Sequence, residues 1–486
     1  MARVALLSLL VLSMTASAAI CVGGLGVNWG NQAFNPLPPK DVVKLLQMNS
    51  VTKVKIFDAN YDILKSLVGS GIEVMVAAPN YALYDLANNP NAATEWVKQN
   101  VTRFNFKGGV DIKWVAVGNE PFLTAYNGSY LNTTLPAFQN MQAALDAAGH
   151  TGVRAIIPFN ADVLTNVKPS ATTFKPEYIA QIGPMLEIMN RTGAPFCMNL
   201  YPYISLYMDS GYPVDYAFFS GTTSPNVDGA ITYQNALDAS LDGLASALSK
   251  AGYPSMPIML GEIGWPTDGA RSATVDLAGR YMQDMITHLQ SGIGTPLRPN
   301  VFVEFYLFGL LDENSKSIAP GPFERHWGVF YYDGVAKYPL NLASGTTNAA
   351  TAIKSLVNPP YMAEQFCVLN TSVIDRTNLT QNVDYACGIA DCTALNNGST
   401  CATLAEPASY AFNSYFQAMS QDPGACNFQG YAMIVTENPS QGACRFPISL
   451  VPTTGSSSGA PSWRLSSAAL TLALVLSSLG VLWPIT

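Results

Sequence analysis

The stretch Trp114-Val-Ala-Val-Gly-Asn-Glu-Pro121 is a short apolar run that stops at a glycine and presents an amide and a carboxylate before a proline. Apolar residues in unbroken succession read as a strand covered on both faces. The glycine lets the backbone turn and the proline ends the strand. A second stretch repeats the design: Ile258-Met-Leu-Gly-Glu-Ile-Gly-Trp-Pro266. A carboxylate at the end of a buried run is costly unless hydrogen bonds or a function compensate it. Glu120 and Glu262 therefore call for a fold that gathers strand ends around one point.

Outward from these two runs, short β-branched segments alternate with amphipathic ones all the way from Cys21 to Val357. The expected strands are Leu25–Trp29, Val51–Asp58, Ile72–Ala77, Ile112–Gly118, Val153–Phe159, Phe196–Tyr201, Pro257–Ile263 and Asn300–Phe308. Helices separate them, among them Pro39–Met48 and Gln234–Lys250, the latter with Leu237, Leu241, Leu244 and Leu248 on one face. Such repetition predicts an α/β fold, a (β/α)8 TIM barrel, with a doubly wound open sheet as the alternative. In a barrel, chemistry collects at the C-terminal strand ends, and strands four and seven face each other across the mouth. Two carboxyls about 5–5.5 Å apart suit a retaining glycosidase, and roughly 6.5–9.5 Å an inverting one. Gly24-Leu-Gly26-Val-Asn-Trp-Gly30 comes near a dinucleotide fingerprint, but its third glycine is one position late and no strand precedes it.

Composition narrows the partners. A formal charge of −8 argues against nucleic acid, and three His in 486 residues argue against a His-rich metal site. Only 12% of the chain is charged, which suits an extracellular protein handling neutral, hydroxyl-rich ligands. Neither a cofactor nor an obligate protein partner is called for. Residues 1–18 read as a secretory leader: Arg3, an apolar core, then Ala16-Ser17-Ala18. The N-glycosylation candidates are Asn100, Asn127, Asn132, Asn190, Asn370, Asn378 and Asn397.

Cys367, Cys387, Cys392, Cys401, Cys426 and Cys444 crowd into one segment without a His or a C-x-x-C pair, so disulfides are expected there rather than zinc. Spacing does not choose among the pairings. Cys21 and Cys197 stand apart and are expected to be buried free thiols. The domains expected are a barrel over 19–357, a linker over 358–365 and a six-Cys module over 366–449. A Ser/Gly/Pro linker over 450–463 and a hydrophobic propeptide over 464–486 follow. Small residues, a short spacer and a terminal apolar run form a glycolipid-anchor pattern with Ser457 as the attachment site; a membrane-spanning helix is the alternative.

These residues carry a resemblance. Gly26-Val-Asn-Trp-Gly30, Val117-Gly-Asn-Glu120, Asn199-Leu-Tyr-Pro-Tyr203, Gly261-Glu-Ile-Gly-Trp-Pro266 and Asp312-Glu-Asn-Ser-Lys316 resemble the plant family 17 glycoside hydrolases, the glucan endo-1,3-β-glucosidases. Phe366-Cys367, Asp384-Tyr-Ala-Cys387, Ala408-Ser-Tyr-Ala-Phe-Asn413 and Gly442-Ala-Cys-Arg-Phe-Pro447 resemble the family 43 carbohydrate-binding module. The resemblance implies endo-hydrolysis of β-1,3-glucan (callose) at the outer face of the plasma membrane, on the cell-wall side. It implies Glu120 as acid/base and Glu262 as nucleophile. Two departures, Phe122 after Pro121 and Gly309-Leu-Leu-Asp-Glu313, are expected to alter the cleft.

Supporting roles are expected of Asn119 at a sugar 2-hydroxyl and of Tyr201 as a hydrogen-bond partner of Glu262. Trp265 is open between a sugar platform and core packing, and Glu304, Glu313 and Lys316 are expected to complete a charge network. In the module, Tyr410, Phe412, Tyr415 and Phe416 pack around the disulfides or offer a stacking surface. Rival readings are a glucan-binding or scaffolding protein with little turnover, a transglycosylase, or a hydrolase of another β-glucan.

Overall fold

The computed structural model describes residues 25–165, 167–343 and 350–452. The leader, Cys21, Ser457 and the apolar tail lie outside the described residues.

The alternation seen in sequence becomes strands in turn: β1 (Leu25–Trp29), β2 (Lys53–Ile56), β3 (Glu73–Ala78), β4 (Asp111–Val117), β5 (Arg154–Ile156), β6 (Pro158–Asn160) and β7 (Phe196–Asn199). A hairpin of β8 (Asn226–Asp228) and β9 (Ile231–Tyr233) stands apart, and β10 (Ile258–Ile263) and β11 (Glu304–Leu307) complete the parallel sheet. Its order is β5-β4-β3-β2-β1-β11-β10-β7-β6. The two end pieces are consecutive in the chain, parted only by Ile157: β5 pairs with β4, and β6 pairs with β7. They are halves of one barrel strand, so the sheet comes round on itself and the open doubly wound alternative falls.

Apolar runs fill both faces of the strands, and every residue of β10 is buried. Helices begin where small polar side chains satisfy free backbone N–H groups. Asn235 Oδ1 accepts from Asp238 N, which starts the helix at Ala236 rather than Gln234. Asn60 and Thr274 do the same for Tyr61–Leu67 and Val275–Gln290. The eighth expected strand is shorter than read, because Asn300 takes a φ of 60° and turns the chain before Glu304.

The module pairs β12 (Phe366–Leu369) with β13 (Ala432–Val435) and packs them on the helices Leu379–Cys387 and Pro407–Ala418. Its bridges are Cys367–Cys426, Cys387–Cys392 and Cys401–Cys444. Cys197 is a buried free thiol. Tyr410, Phe412 and Phe416 are buried, so these three rings pack; Tyr415 is half-buried, its hydroxyl 3.2 Å from that of the exposed Tyr385.

Barrel and module share a seam. Tyr332 Oη donates to Ile448 O (2.8 Å) and accepts from Ile448 N (3.0 Å), while Asn35 Nδ2 donates to Ser449 Oγ (2.7 Å). Tyr361 and Leu450 form an antiparallel bridge, so the module's two chain ends lie side by side at this seam. A cavity of about 220 Å³ lies within it, lined by Phe34, Tyr331, Tyr410 and Arg445 among others. No helix among the described residues is long and apolar enough to cross a membrane.

Candidate active site

Glu120 lies just beyond the C-terminal end of β4, on a turn that only a glycine makes possible. Gly118 has φ +75°, and a Cβ there would meet Asn80 Oδ1 at 2.6 Å. That same Asn80 clasps the turn, with Oδ1 accepting from Asn119 N (2.8 Å) and Nδ2 donating to Asn119 O (2.9 Å). Glu120 itself takes a φ of 50°, unusual for a residue with a side chain, and is held by its N–H on Pro158 O at 2.8 Å. The split fifth strand thus positions the fourth strand's carboxylate.

Glu262 sits in β10, 4% exposed, where the pairing with β7 shifts register. Lys55, in the middle of β2 and fully buried, places Nζ 2.5 Å from Glu262 Oε1 and 3.0 Å from Asn119 Oδ1. Tyr201 Oη donates to Glu262 Oε2 at 2.5 Å. Both oxygens of Glu262 are therefore occupied by donors, one of them a full positive charge. Glu120 Oε1 accepts from Asn199 Nδ2 at 2.9 Å. Burial, and next the charge of Glu262, push the Glu120 carboxyl up to about 7, while Asn199, Lys55 and Lys316 act against that rise. Two carboxylates with opposed environments, one clamped by a cation and one drawn toward protonation, form the pattern of an acid and its partner.

The flank of the cleft comes from the loop after β11. Gln32 N donates to Glu313 Oε1 at 3.0 Å, and Gly30 leaves room for that carboxyl, since a Cβ there would overlap it at 2.2 Å. Burial raises the Glu313 carboxyl, with Lys316 opposing. Lys316 Nζ pairs with Glu324 Oε2 at 2.8 Å and lies 4.5 Å over the Phe308 ring. Burial alone would depress the Lys316 ammonium, but Glu324 and Glu313 outweigh it and hold it above the ordinary range. Trp327, its ring centroid 4.9 Å from that of Tyr201 and tilted by 55°, also donates from Nε1 to Glu324 Oε2 (3.3 Å).

Of the residues singled out in sequence, Glu120, Asn119, Glu262, Tyr201, Glu313 and Lys316 gather here. Two do not. Glu304 opens β11 and pairs with Lys53 (2.9 Å), which also holds Glu73 (3.3 Å); all three are first residues of their strands, at the end of the barrel opposite the cleft. Trp265 is fully buried, its Nε1 on Ser272 O (2.8 Å) and its ring against Phe218, Tyr281 and Tyr203, so it packs and offers no face to a sugar. Phe122 is likewise buried, stacked 5.3 Å from Tyr178, and stands outside the cleft. Sequence reading missed Lys55, Asn80, Asn199 and Glu324. A lysine inside the apolar run Val54-Lys-Ile56 was the available signal for the first, and Asn199 opened a motif of the quoted likeness without being given a role. Among the described residues no cluster of His, Cys, Asp and Glu fits a metal ion.

Residues 25–342 match the profile of Glycosyl hydrolases family 17, and residues 365–433 match the X8 domain. The chain belongs to glycosyl hydrolase family 17. It is 48% identical over 453 residues to Glucan endo-1,3-beta-glucosidase 8 of Arabidopsis thaliana, spanning 92% of this chain and 93% of that one. Against Glucan endo-1,3-beta-glucosidase 5 of the same plant the identity is 47%, over 89% and 90% of the two chains. Among solved structures, this family 17 barrel resembles CJP38, a beta-1,3-glucanase and allergen of Cryptomeria japonica pollen. That match has a TM-score of 0.63 and 35% identity, and it covers 66% of this chain and all of that one. The X8 match falls within the six-Cys module.

Proposed function

We propose that this family 17 chain is an endo-1,3-β-glucanase that cleaves β-1,3-glucan with retention of configuration, Glu120 acting as acid/base and Glu262 as nucleophile. The observation that carries the reading is the contrast between the two carboxyls: Glu262 held between Lys55 Nζ and Tyr201 Oη, Glu120 raised to about 7. Glu120, protonated, gives its proton to the leaving glycosidic oxygen while Glu262 attacks the anomeric carbon. The sugar–oxygen bond breaks, an ester to Glu262 forms, and the shortened glucan departs. Glu120 then takes a proton from water, whose oxygen displaces Glu262 and restores both groups. Asn119, whose Nδ2 has no hydrogen bond among the described residues, is assigned to a sugar hydroxyl beside the reacting carbon.

Release of reducing ends from laminarin by wild type, Glu120→Gln and Glu262→Gln tests this reading. Wild type no faster than either variant would overturn it. Products longer than the substrate would reassign the chemistry to transfer, with a sugar hydroxyl in place of water.

For location, the reading is secretion followed by glycolipid anchorage at Ser457, facing the cell wall, on the strength of the leader and tail patterns. Release from membranes by a phospholipase specific for such anchors is expected; retention would favour a spanning helix. Exposed Asn127, Asn132, Asn190, Asn378 and Asn397 are the more accessible glycosylation candidates, with Asn100 and Asn370 half-buried.

A further inference from the structure

The seam between barrel and module touches the two loops that finish the catalytic cleft. Arg325 Nε donates to Lys316 O (2.8 Å), and its Nη1 lies 3.2 Å from Asp391 Oδ1 of the module and 3.4 Å from Ala390 O. The next residue, His326, sets Nε2 2.6 Å from Thr393 Oγ1. On the loop that follows Glu262, Asp268 accepts from Thr400 N at 3.0 Å and from Thr400 Oγ1. Ala390 and Asp391 lie inside the loop closed by Cys387–Cys392, and Thr393 and Thr400 lie between that bridge and Cys401, which is bonded to Cys444, so the bridges limit the freedom of the whole segment. Glu313 N also donates to Arg325 O (3.2 Å), so one arginine joins Asp391 to Glu313 and Lys316 of the loop after β11.

We infer that Arg325 is a positioning residue through which the docked module, by Asp391, holds Lys316 and Glu313 in place beside the reacting carboxyls, making the module a structural part of the catalytic cleft. The physical warrant is rigidity: a part-buried charge-assisted contact adds a tie from the module to a loop that Gln32 N, on Glu313, and Glu324, on Lys316, already hold from the barrel side. Lys316 Nζ in turn fixes Glu324, on which the Trp327 indole rests, and Trp327 packs on Tyr201, the donor to Glu262. The charged and titratable groups facing Glu120 are Glu262, Lys55, Lys316, Tyr126 and Tyr201. Of these only Lys316 belongs to the loop clasped by Arg325.

The inference rests on the proposed hydrolysis for its kinetic readout, and its test uses the full secreted chain. Asp391→Asn keeps the shape of the side chain and removes the charge facing Arg325; Thr400→Val removes one hydroxyl from the second contact. Both are expected to lower kcat on laminarin by roughly ten- to a hundredfold with KM within about twofold. In Asp391→Asn the alkaline limb should also move to higher pH, since withdrawal of the Lys316 charge lets Glu120 hold its proton longer. Binding to insoluble β-1,3-glucan should be retained, and Arg376→Gln, on an exposed pair within the module (3.5 Å to Glu406), should match wild type. Wild-type kcat and pH profile in both seam variants would overturn the inference. A wild type without hydrolysis would instead overturn the proposed function. The docking would then be read from thermal unfolding: one transition in wild type that splits into two in Asp391→Asn supports it, and two transitions already in wild type refute it.

Discussion

Lys55 Nζ lies 2.5 Å from Glu262 Oε1, a full ion pair withdrawn from solvent at the floor of the barrel mouth. Removing one member of such a pair strands the other. Lys55→Met is expected to cost about 3–5 kcal/mol of stability. It should also lower kcat by roughly a hundredfold or more, because Asn119 and Glu262 lose their shared anchor. Denaturant unfolding and laminarin kinetics on the same preparation check both. A variant as stable and active as wild type would remove Lys55 from the site.

Glu120 pays for its role in stability. Its carboxyl titrates near 7 in the folded chain against an ordinary value of 4.5. The folded state therefore holds a proton that the unfolded state has lost, so stability falls as pH rises between those values. The loss amounts to about 3 kcal/mol at most above pH 7. Glu120→Gln, which cannot ionise, is expected to match wild type near pH 4.5 and to melt higher at pH 8. Equal melting curves at both would refute the raised carboxyl.

Asn199 gives Glu120 a hydrogen bond that favours the ionised form. Asn199→Ala is expected to move the alkaline limb of the pH–rate profile upward and to reduce kcat about tenfold. A limb that moves downward would assign the amide another role.

Trp265 packs on three aromatic rings without exposure. Trp265→Phe should lower stability by about 1–3 kcal/mol and leave KM unchanged. A KM that rises several-fold in a protein of normal stability would return this ring to the substrate.

The Cys197 thiol is buried and pushed up to about 12, with desolvation the chief cause. Alkylation followed by peptide mapping should leave it unlabelled in the native chain and labelled on unfolding. Rapid native labelling would contradict the packing.

Periodicity made the barrel legible, because parallel strands buried on both faces must read as apolar runs. The catalytic candidates were legible for the same reason, as Glu120 and Glu262 are charges where such runs end. Lys55 escaped because a lone cation within a strand has no spacing partner in sequence; its counterpart Glu262 is 207 residues away. Glu304 misled because it belongs to the correct strand at the wrong end: whether a carboxylate opens or closes the paired segment decides which face of the barrel it serves. Trp265 stayed open in sequence because adjacency does not decide direction: a side chain three residues beyond a site residue can turn into the wall.

The two ends of the module meet at Tyr361 and Leu450 beside the barrel, where Met362 N donates to Ser449 O at 2.8 Å and Val451 N to Pro360 O at 2.7 Å. A leash beginning after Pro452 would thus start at the hydrolase itself, not at the far side of the six-Cys unit. Its length alone would set how far the cleft can range over a wall, and the module would add nothing to that reach.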